Sequence, residues 1–118
     1  LSDVLSEGVR ARRPMVFFED SFFSPLHVET LAEVVRDMVR IGAGGIFNVG
    51  CREGSSKADF AEAMCAHLGL DIATARRGLS TEFATRAPRP AHLRMDVSRI
   101  EDKLGRQMPS LREEISKL

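Results

Sequence analysis

Helical and strand-like patterns alternate along this chain, and the alternation restricts its fold more than any other feature. Two short apolar runs, MVFFED at 15–20 and GIFNVG at 45–50, have the length and composition of buried strands. The order of elements is helix, strand, helix, strand, helix, an irregular stretch and two further helices. This order predicts an α/β fold with few strands and several helices for a chain of 118 residues.

The helices are predicted from apolar spacing and from the residues at their ends. The second helix ends at the glycines of 42–45, and its apolar residues at helical spacing are Val28, Leu31, Ala32, Val35, Met38 and Val39. The third is the clearest, with Ser56 as its cap, Asp59 in its first turn and Gly69 at its end. Its apolar stripe is Phe60, Ala61, Met64, Cys65 and Leu68.

Two short helices are predicted near the C-terminus. The first begins at Asp96 or Ser98 and ends at Gly105. The second begins at Ser110, which forms a capping box with Glu113.

The composition restricts the class of protein. Formal net charge is zero, with 43% apolar and 29% charged residues, which predicts one folded domain rather than disorder. No run approaches the ~20 apolar residues of a membrane span. The basic stretch lacks the interleaved aromatic residues that single-stranded nucleic acid requires, apart from Phe83. Cys51 and Cys65 are expected to be free thiols in a reducing cytoplasm, and no metal-ligand pattern is present.

Charge is unevenly distributed along the chain. Residues 19–37 hold five acids and one base, whereas residues 73–106 hold eight bases and four acids. The second stretch includes RAPRP, residues 86–90. Arg presents a planar fork that matches phosphate oxygens, and Pro88 and Pro90 stiffen the backbone beside Arg89. An anionic ligand near Arg86 and Arg89 is therefore one interpretation, and an ordinary solvated surface is the other.

Four stretches carry a resemblance that covers nearly the whole chain. They are FFEDSFFSPLHVETLAEVV, GGIFNVGCREGSSKADFAEAMCAHLGL, RAPRPAHLRMDVSRIEDKLG and PSLREEI. In this order and spacing they resemble the C-terminal part of dTDP-4-dehydrorhamnose reductases, which belong to the extended short-chain dehydrogenase/reductase superfamily. The resemblance implies that residues 1–118 are a substrate-binding region of a Rossmann-type protein.

The same resemblance implies what lies outside the chain. Relatives carry an N-terminal Rossmann domain that binds NADPH or NADH, with a glycine-rich loop and a Tyr-x-x-x-Lys pair. The chain has no tyrosine, and its GAGG run at 42–45 follows a helix instead of preceding one. We therefore expect the cofactor and the proton donor to come from a missing Rossmann half or a partner chain, and the isolated chain to be inactive.

The resemblance also implies the candidate substrate-binding residues. Arg89, with Arg86 as a second candidate, is expected beside the diphosphate of a nucleotide sugar. Phe23, Ser24 and His27 are expected to shape the sugar side, because this segment joins a strand to a helix near the cleft of relatives. Alternatively, Ser24 caps the following helix with Pro25 in its first turn, and His27 is a structural residue.

Two further side chains, Asn48 and Arg52, flank the end of the second predicted strand, where ligands of open α/β sheets gather. Arg52 has the alternative of a salt bridge near Glu53 or exposure to solvent. Glu19 and Asp20 are interpreted as part of a solvated loop.

The expected function is the substrate-binding part of an NAD(P)-dependent reductase of a 4-keto nucleotide-activated deoxysugar. Two alternatives remain at this point: a nucleotide-sugar epimerase or dehydratase of the same superfamily, and a non-catalytic regulatory or binding subunit. The expected partners are the nucleotide sugar and the missing half, a homodimer is one form of assembly, and neither nucleic acid nor a membrane is expected.

Overall fold

The computed structural model of the protein describes residues 1–83 and 90–118, which form five α-helices, one 3-10 helix (Ser80–Glu82) and five short strands. The helices are α1 (Ser2–Arg10), α2 (Val28–Arg40), α3 (Lys57–His67), α4 (Ser98–Leu104) and α5 (Leu111–Ile115). The strands are β1 (Met15–Phe18), β2 (Phe22–Phe23), β3 (Ser55–Ser56), β4 (Ala75–Gly78) and β5 (His92–Leu93). The α/β class predicted from the sequence is confirmed.

The strands form two small sheets. In the first, β1 pairs in parallel with β4, and Met15 lies opposite Ala75. In the second, β2 is central, antiparallel to β3 and parallel to β5. Because β2, β3 and β5 have two residues each, their positions depend on the helices beside them.

The first hydrophobic core surrounds α3, which packs against β1, α1 and α5. Its predicted stripe is buried except for Leu68, which is partly buried, and Met64 and Cys65 are fully inaccessible. The helix begins as predicted, since Ser56 Oγ accepts a hydrogen bond from Asp59 N at 3.0 Å. On its exposed side, Arg77 of β4 donates to both Glu62 and Asp59, and this pairing raises the pKa of the arginine.

The second core lies between α2 and α4. Its buried members are Val34, Val97, Ile100 and Met108, and Phe47 and Val49 pack against them. The predicted ends of the last helices are confirmed: Gly105 is left-handed with φ +66°, and Ser110 forms its capping box with Glu113. Asp96 Oδ1 accepts from Ser98 N at the start of α4.

The apolar stripe predicted for α2 faces the core only at its edge, where Met38 packs against the second core. Thr30 and Val34 are the buried positions of this helix, whereas Val28 and Val39 are 71% and 74% exposed. The helix contacts the second core through Val34, which lies about 40° around the helix from Met38 and just outside that stripe. Apolar spacing alone therefore misplaced the centre of the buried face of α2.

The second predicted strand, at 45–50, is not formed. In the described part of the chain this segment has no regular structure and no strand beside it. A strand requires a neighbour for its backbone groups, and apolar composition cannot supply one. Conversely, β2, β3 and β5 were not predicted, since two-residue strands carry too little pattern to be recognised.

We expect Met64→Ala to lower the free energy of unfolding by about 2–5 kcal/mol, because it leaves a cavity in the first core. Urea unfolding followed by circular dichroism measures this loss. Ala66→Ser on the exposed side of the same helix is the control and should change stability by less than about 0.5 kcal/mol. Equal effects of the two substitutions would contradict the position assigned to α3.

Candidate functional site

The parallel pairing of β2 with β5 brings together an aromatic and cationic surface. Phe22 lies opposite His92, and the two rings stack with centroids 5.0 Å apart and planes 14° apart. The Arg94 guanidinium carbon lies 4.6 Å from the centroid of the Phe22 ring, which is a cation–π distance. We call Phe22, Ser24, His92 and Arg94 the β2–β5 surface.

Ser24 and two glycines fix the backbone of this surface. Ser24 Oγ accepts a hydrogen bond from Met95 N at 3.1 Å, which ties the end of β2 to the chain beyond β5. A Cβ atom at Gly50 would lie 2.7 Å from Ser24 Cβ, and one at Gly54 would lie 2.5 Å from Arg94 Cγ. Gly54 also has φ +65°, so both its conformation and its contacts favour glycine.

Phe23 faces the side of β2 opposite to the β2–β5 surface, and its expected role on the sugar side stays a prediction. Its ring lies edge-to-face with Phe60 of α3, with centroids 5.5 Å apart, and it packs against the first core. Successive residues of a strand face opposite sides, so the neighbour of Phe23 occupies the exposed side. Phe22 was therefore missed by sequence reasoning, and only a register for β2 identifies it.

His27 has a structural role in the described contacts. Its Nδ1 accepts a hydrogen bond from Glu29 N at 3.3 Å and caps α2, so the expectation that Ser24 would cap this helix is wrong. The backbone N–H of His27 donates to Glu114, and Thr30 Oγ1 donates to the same buried carboxylate at 2.8 Å. These bonds join the start of α2 to α5.

Asp20 anchors the chain before the irregular stretch. Its carboxylate accepts from Ser80 N at 2.9 and 3.1 Å and from Ser80 Oγ at 2.8 Å. The Ser80 backbone N–H, followed by its hydroxyl, lowers the pKa of Asp20. Asp20 therefore lies in a loop, as interpreted, and its carboxylate also bonds to Ser80 across the fold.

Arg86 and Arg89 lie outside the described residues, so their placement stays a prediction. The chain on either side of them is held in position. On one side, Ser80 is bound by Asp20 and the Phe83 ring lies edge-to-face with Phe18, at 5.5 Å. On the other side, Phe22 N donates to Ala91 O at 2.7 Å.

Asn48 and Arg52 also make structural contacts. Asn48 Nδ2 donates to the Asp96 carbonyl at 3.0 Å. Arg52 donates to Gln107, and its Nη2 lies 3.9 Å from the Glu113 carboxylate. Neither side chain belongs to the β2–β5 surface.

Residues 1–83 and 90–118 contain neither a metal-binding cluster nor a membrane-spanning helix. No group of three or more His, Cys, Asp or Glu side chains there is arranged to hold a metal ion. None of the helices in these ranges combines the length and apolarity needed to cross a bilayer.

Comparison with known proteins adds the decisive observation. The profile of a protein family described as the RmlD substrate binding domain matches residues 2–118. The chain belongs to this family. The family resemblance predicted from the sequence is thereby confirmed.

The chain is also similar to one known protein and to two solved structures that are consistent with this family. The chain is 26% identical over 101 residues to a probable low-salt glycan biosynthesis reductase of Haloferax volcanii, covering 86% of the chain and 34% of that protein. Two crystal structures of dTDP-4-dehydrorhamnose reductases, from Bacillus anthracis in complex with NADP and from Clostridium acetobutylicum, match with a TM-score of 0.86. Each is 18% identical and covers 99% of the chain, but the chain spans only 41% of each structure.

We expect the Asp20–Ser80 contact to stabilise the protein at neutral pH and to be lost in acid. A carboxylate whose pKa is lowered on folding stabilises the folded state above its ordinary pKa of 3.8, and that contribution disappears as the pH falls through the lower folded value. The melting temperature of Asp20→Asn should therefore lie below that of the wild type at pH 7, with a smaller gap at pH 3. Asp102→Asn, at an exposed position of α4, is the control. A gap that does not change with pH would contradict the contact.

Proposed function

We propose that the chain holds the substrate of a nucleotide-sugar reductase, and that the complete protein reduces the 4-keto group of an activated deoxysugar with NADPH or NADH. The observation that carries this proposal is the pairing of β2 with β5. It places Phe22 and Arg94 beside the chain that immediately follows Arg89. Membership of the RmlD substrate binding domain family supports the same function.

The β2–β5 surface has the chemistry that a nucleotide diphosphate requires. Phe22 and His92 present aromatic faces on which a base or a sugar ring can lie, and Arg94 is an exposed cation beside them. In this proposal the guanidinium groups of Arg86 and Arg89 contact the diphosphate, because their planar forks match phosphate oxygens. Ser24 positions the backbone of β2, since its hydroxyl is already bonded to Met95 N.

The glycine run of 42–45 does not fit the phosphate-binding loop of a dinucleotide site. The glycines of 42–45 follow the C-terminal end of α2, where the negative end of the helix dipole disfavours a pyrophosphate. The cofactor and the proton donor are therefore assigned to a nucleotide-binding part beyond this chain. The contribution of the chain is to orient the sugar, and orientation lowers the barrier of a reaction between two bound groups.

The cytoplasm is the proposed compartment. Cys51 and Cys65 are buried free thiols, and burial raises the pKa of both. Two unpaired cysteines in one domain are usual for a reducing environment.

We expect Arg94→Ala to weaken nucleotide-sugar binding by about tenfold, because it removes the described cation of the β2–β5 surface. Isothermal titration of the complete protein with its nucleotide sugar measures the change. Arg99→Ala is the matched control: Arg99 also covers a phenylalanine, Phe47, at 4.9 Å, but it lies on α4 outside this surface. Equal losses in the two variants would overturn the assignment of the surface.

We also expect Arg89→Ala to weaken binding by about tenfold or more and Arg89→Lys to recover only part of it, since lysine lacks the planar fork. Thermal-shift screening against dTDP-, UDP-, GDP- and CDP-sugars first identifies the ligand, which should stabilise the wild type through one base class. Arg112→Ala on the exposed side of α5 is the control. Unchanged affinity in Arg89→Ala would contradict its role, and no stabilisation by any of the four classes would contradict the function.

A further inference from the structure

Glu114 of α5 is the one charged side chain that is buried within residues 1–83 and 90–118, with 4% of its surface exposed. Its carboxylate accepts hydrogen bonds from His27 N and, at 2.8 Å, from Thr30 Oγ1. Lys117 Nζ lies 3.3 Å from the same carboxylate. Burial removes the hydration of an ionised carboxylate, so these donors replace the water that Glu114 loses.

Stability alone does not account for an acid at this position. An ion pair that is removed from water often contributes no more to folding than apolar side chains of the same volume. What the carboxylate adds is direction, because its oxygens fix the places of the donors that they bind. One of these donors is the backbone N–H of His27, so Glu114 holds main chain as well as side chains.

The carboxylate thereby holds the segment 24–27, which leads from β2 to α2. At the other end of the segment, Ser24 Oγ accepts a hydrogen bond from Met95 N at 3.1 Å. Pro25 stiffens the backbone between the two attachments. A cavity of about 460 Å³ lies along one side of the segment, so packing on that side is incomplete. The position of the segment therefore depends on its attachments.

We propose that Glu114 is a positioning residue for the nucleotide sugar. Through His27 it holds the segment 24–27 in place, and the segment in turn holds the β2–β5 surface. The proposal rests on the proposed function and extends it to a residue outside that surface.

A short path connects the buried carboxylate with the surface. It runs from His27 N along the chain to Ser24, whose hydroxyl is bonded to Met95 N. Arg94 immediately precedes Met95, so a shift of His27 reaches the cation on which we expect the diphosphate to bind. A displacement of about 1 Å in a group that orients a substrate can change a rate by about a hundredfold.

Nucleotide-sugar binding to variants of Glu114 tests this role. The complete protein is titrated with whichever of dTDP-, UDP-, GDP- and CDP-glucose binds the wild type best. Glu114→Met fills the same space without an acceptor and should weaken binding about tenfold, while the affinity for NADPH or NADH stays within about twofold. Glu114→Gln retains an oxygen for His27 N and should restore sugar binding to within about threefold of the wild type.

Val9→Ala is the control for a loss of stability alone. Val9 is buried in the first core on α1, so its truncation lowers the melting temperature without removing a hydrogen bond of the segment 24–27. We expect this variant to bind the sugar within about twofold of the wild type. Equal affinities of Glu114→Met and the wild type would overturn the proposal, and so would equal losses in Glu114→Met and Glu114→Gln.

Thr30 provides a second pair of variants, which decides the question if Glu114→Met does not fold. Thr30→Val has a similar shape but removes a donor that orients the carboxylate, and it should weaken sugar binding by about threefold. Thr30→Ser retains the donor and should stay within about twofold of the wild type. Equal affinities of these two variants would contradict the role of the carboxylate.

Amide hydrogen exchange at Met95 tests the connection without a ligand. The Met95 N–H is bonded to Ser24 Oγ and follows a strand of only two residues, so it exchanges by local opening and not by global unfolding. We expect exchange about tenfold faster in Glu114→Met, and within about threefold of the wild type in Glu114→Gln and Val9→Ala. Unchanged exchange in Glu114→Met would overturn the proposal.

The two measurements together separate this role from the proposed function. Faster exchange at Met95 in Glu114→Met, with a wild type that binds none of the four sugars, upholds the connection to the surface and overturns the function. A wild type that binds a sugar with an affinity that Glu114→Met does not change upholds the function and overturns the role of Glu114.

Discussion

The burial of α3 positions the elements around the candidate site. The strand β3 leads directly into this helix, so fixing the helix fixes β3 and, through backbone pairing, β2 and β5. Phe23 strengthens the connection because its ring packs on Phe60 from the same helix. Phe22, one residue earlier, is thereby directed to the opposite face, where His92 and Arg94 meet it. The exposed surface thus depends on apolar contacts beneath it.

The long, strongly patterned elements were predictable from the sequence. α3 and α5 begin at serine caps, and glycines with positive φ follow α3 and α4. These signals are local, since a cap or a left-handed glycine depends on residues within one turn. The strand β1 was predictable because it consists of four consecutive apolar residues.

The β2–β5 surface was only partly predictable, because it is made by pairing between residues about 70 positions apart. The sequence predicted functional residues in the 22–28 segment and among the arginines near Pro90. In the structure, the chain that follows Pro90 lies beside β2. The sequence alone does not show whether Phe22 or Phe23 faces outward. The answer depends on the register of β2 with Ser55 and Ser56. The errors at α2 and at 45–50 have a related cause, since their apolar residues exceed what this chain can bury.

Two-residue strands have a consequence for how the surface behaves. β2 is held to β5 by very few backbone bonds, while Met64 and its neighbours beneath are completely enclosed. Separating so short a pair requires much less free energy than exposing that core. The β2–β5 surface can therefore rearrange while the core beneath it stays rigid, and under the proposed function this would let one architecture hold nucleotide sugars of different size.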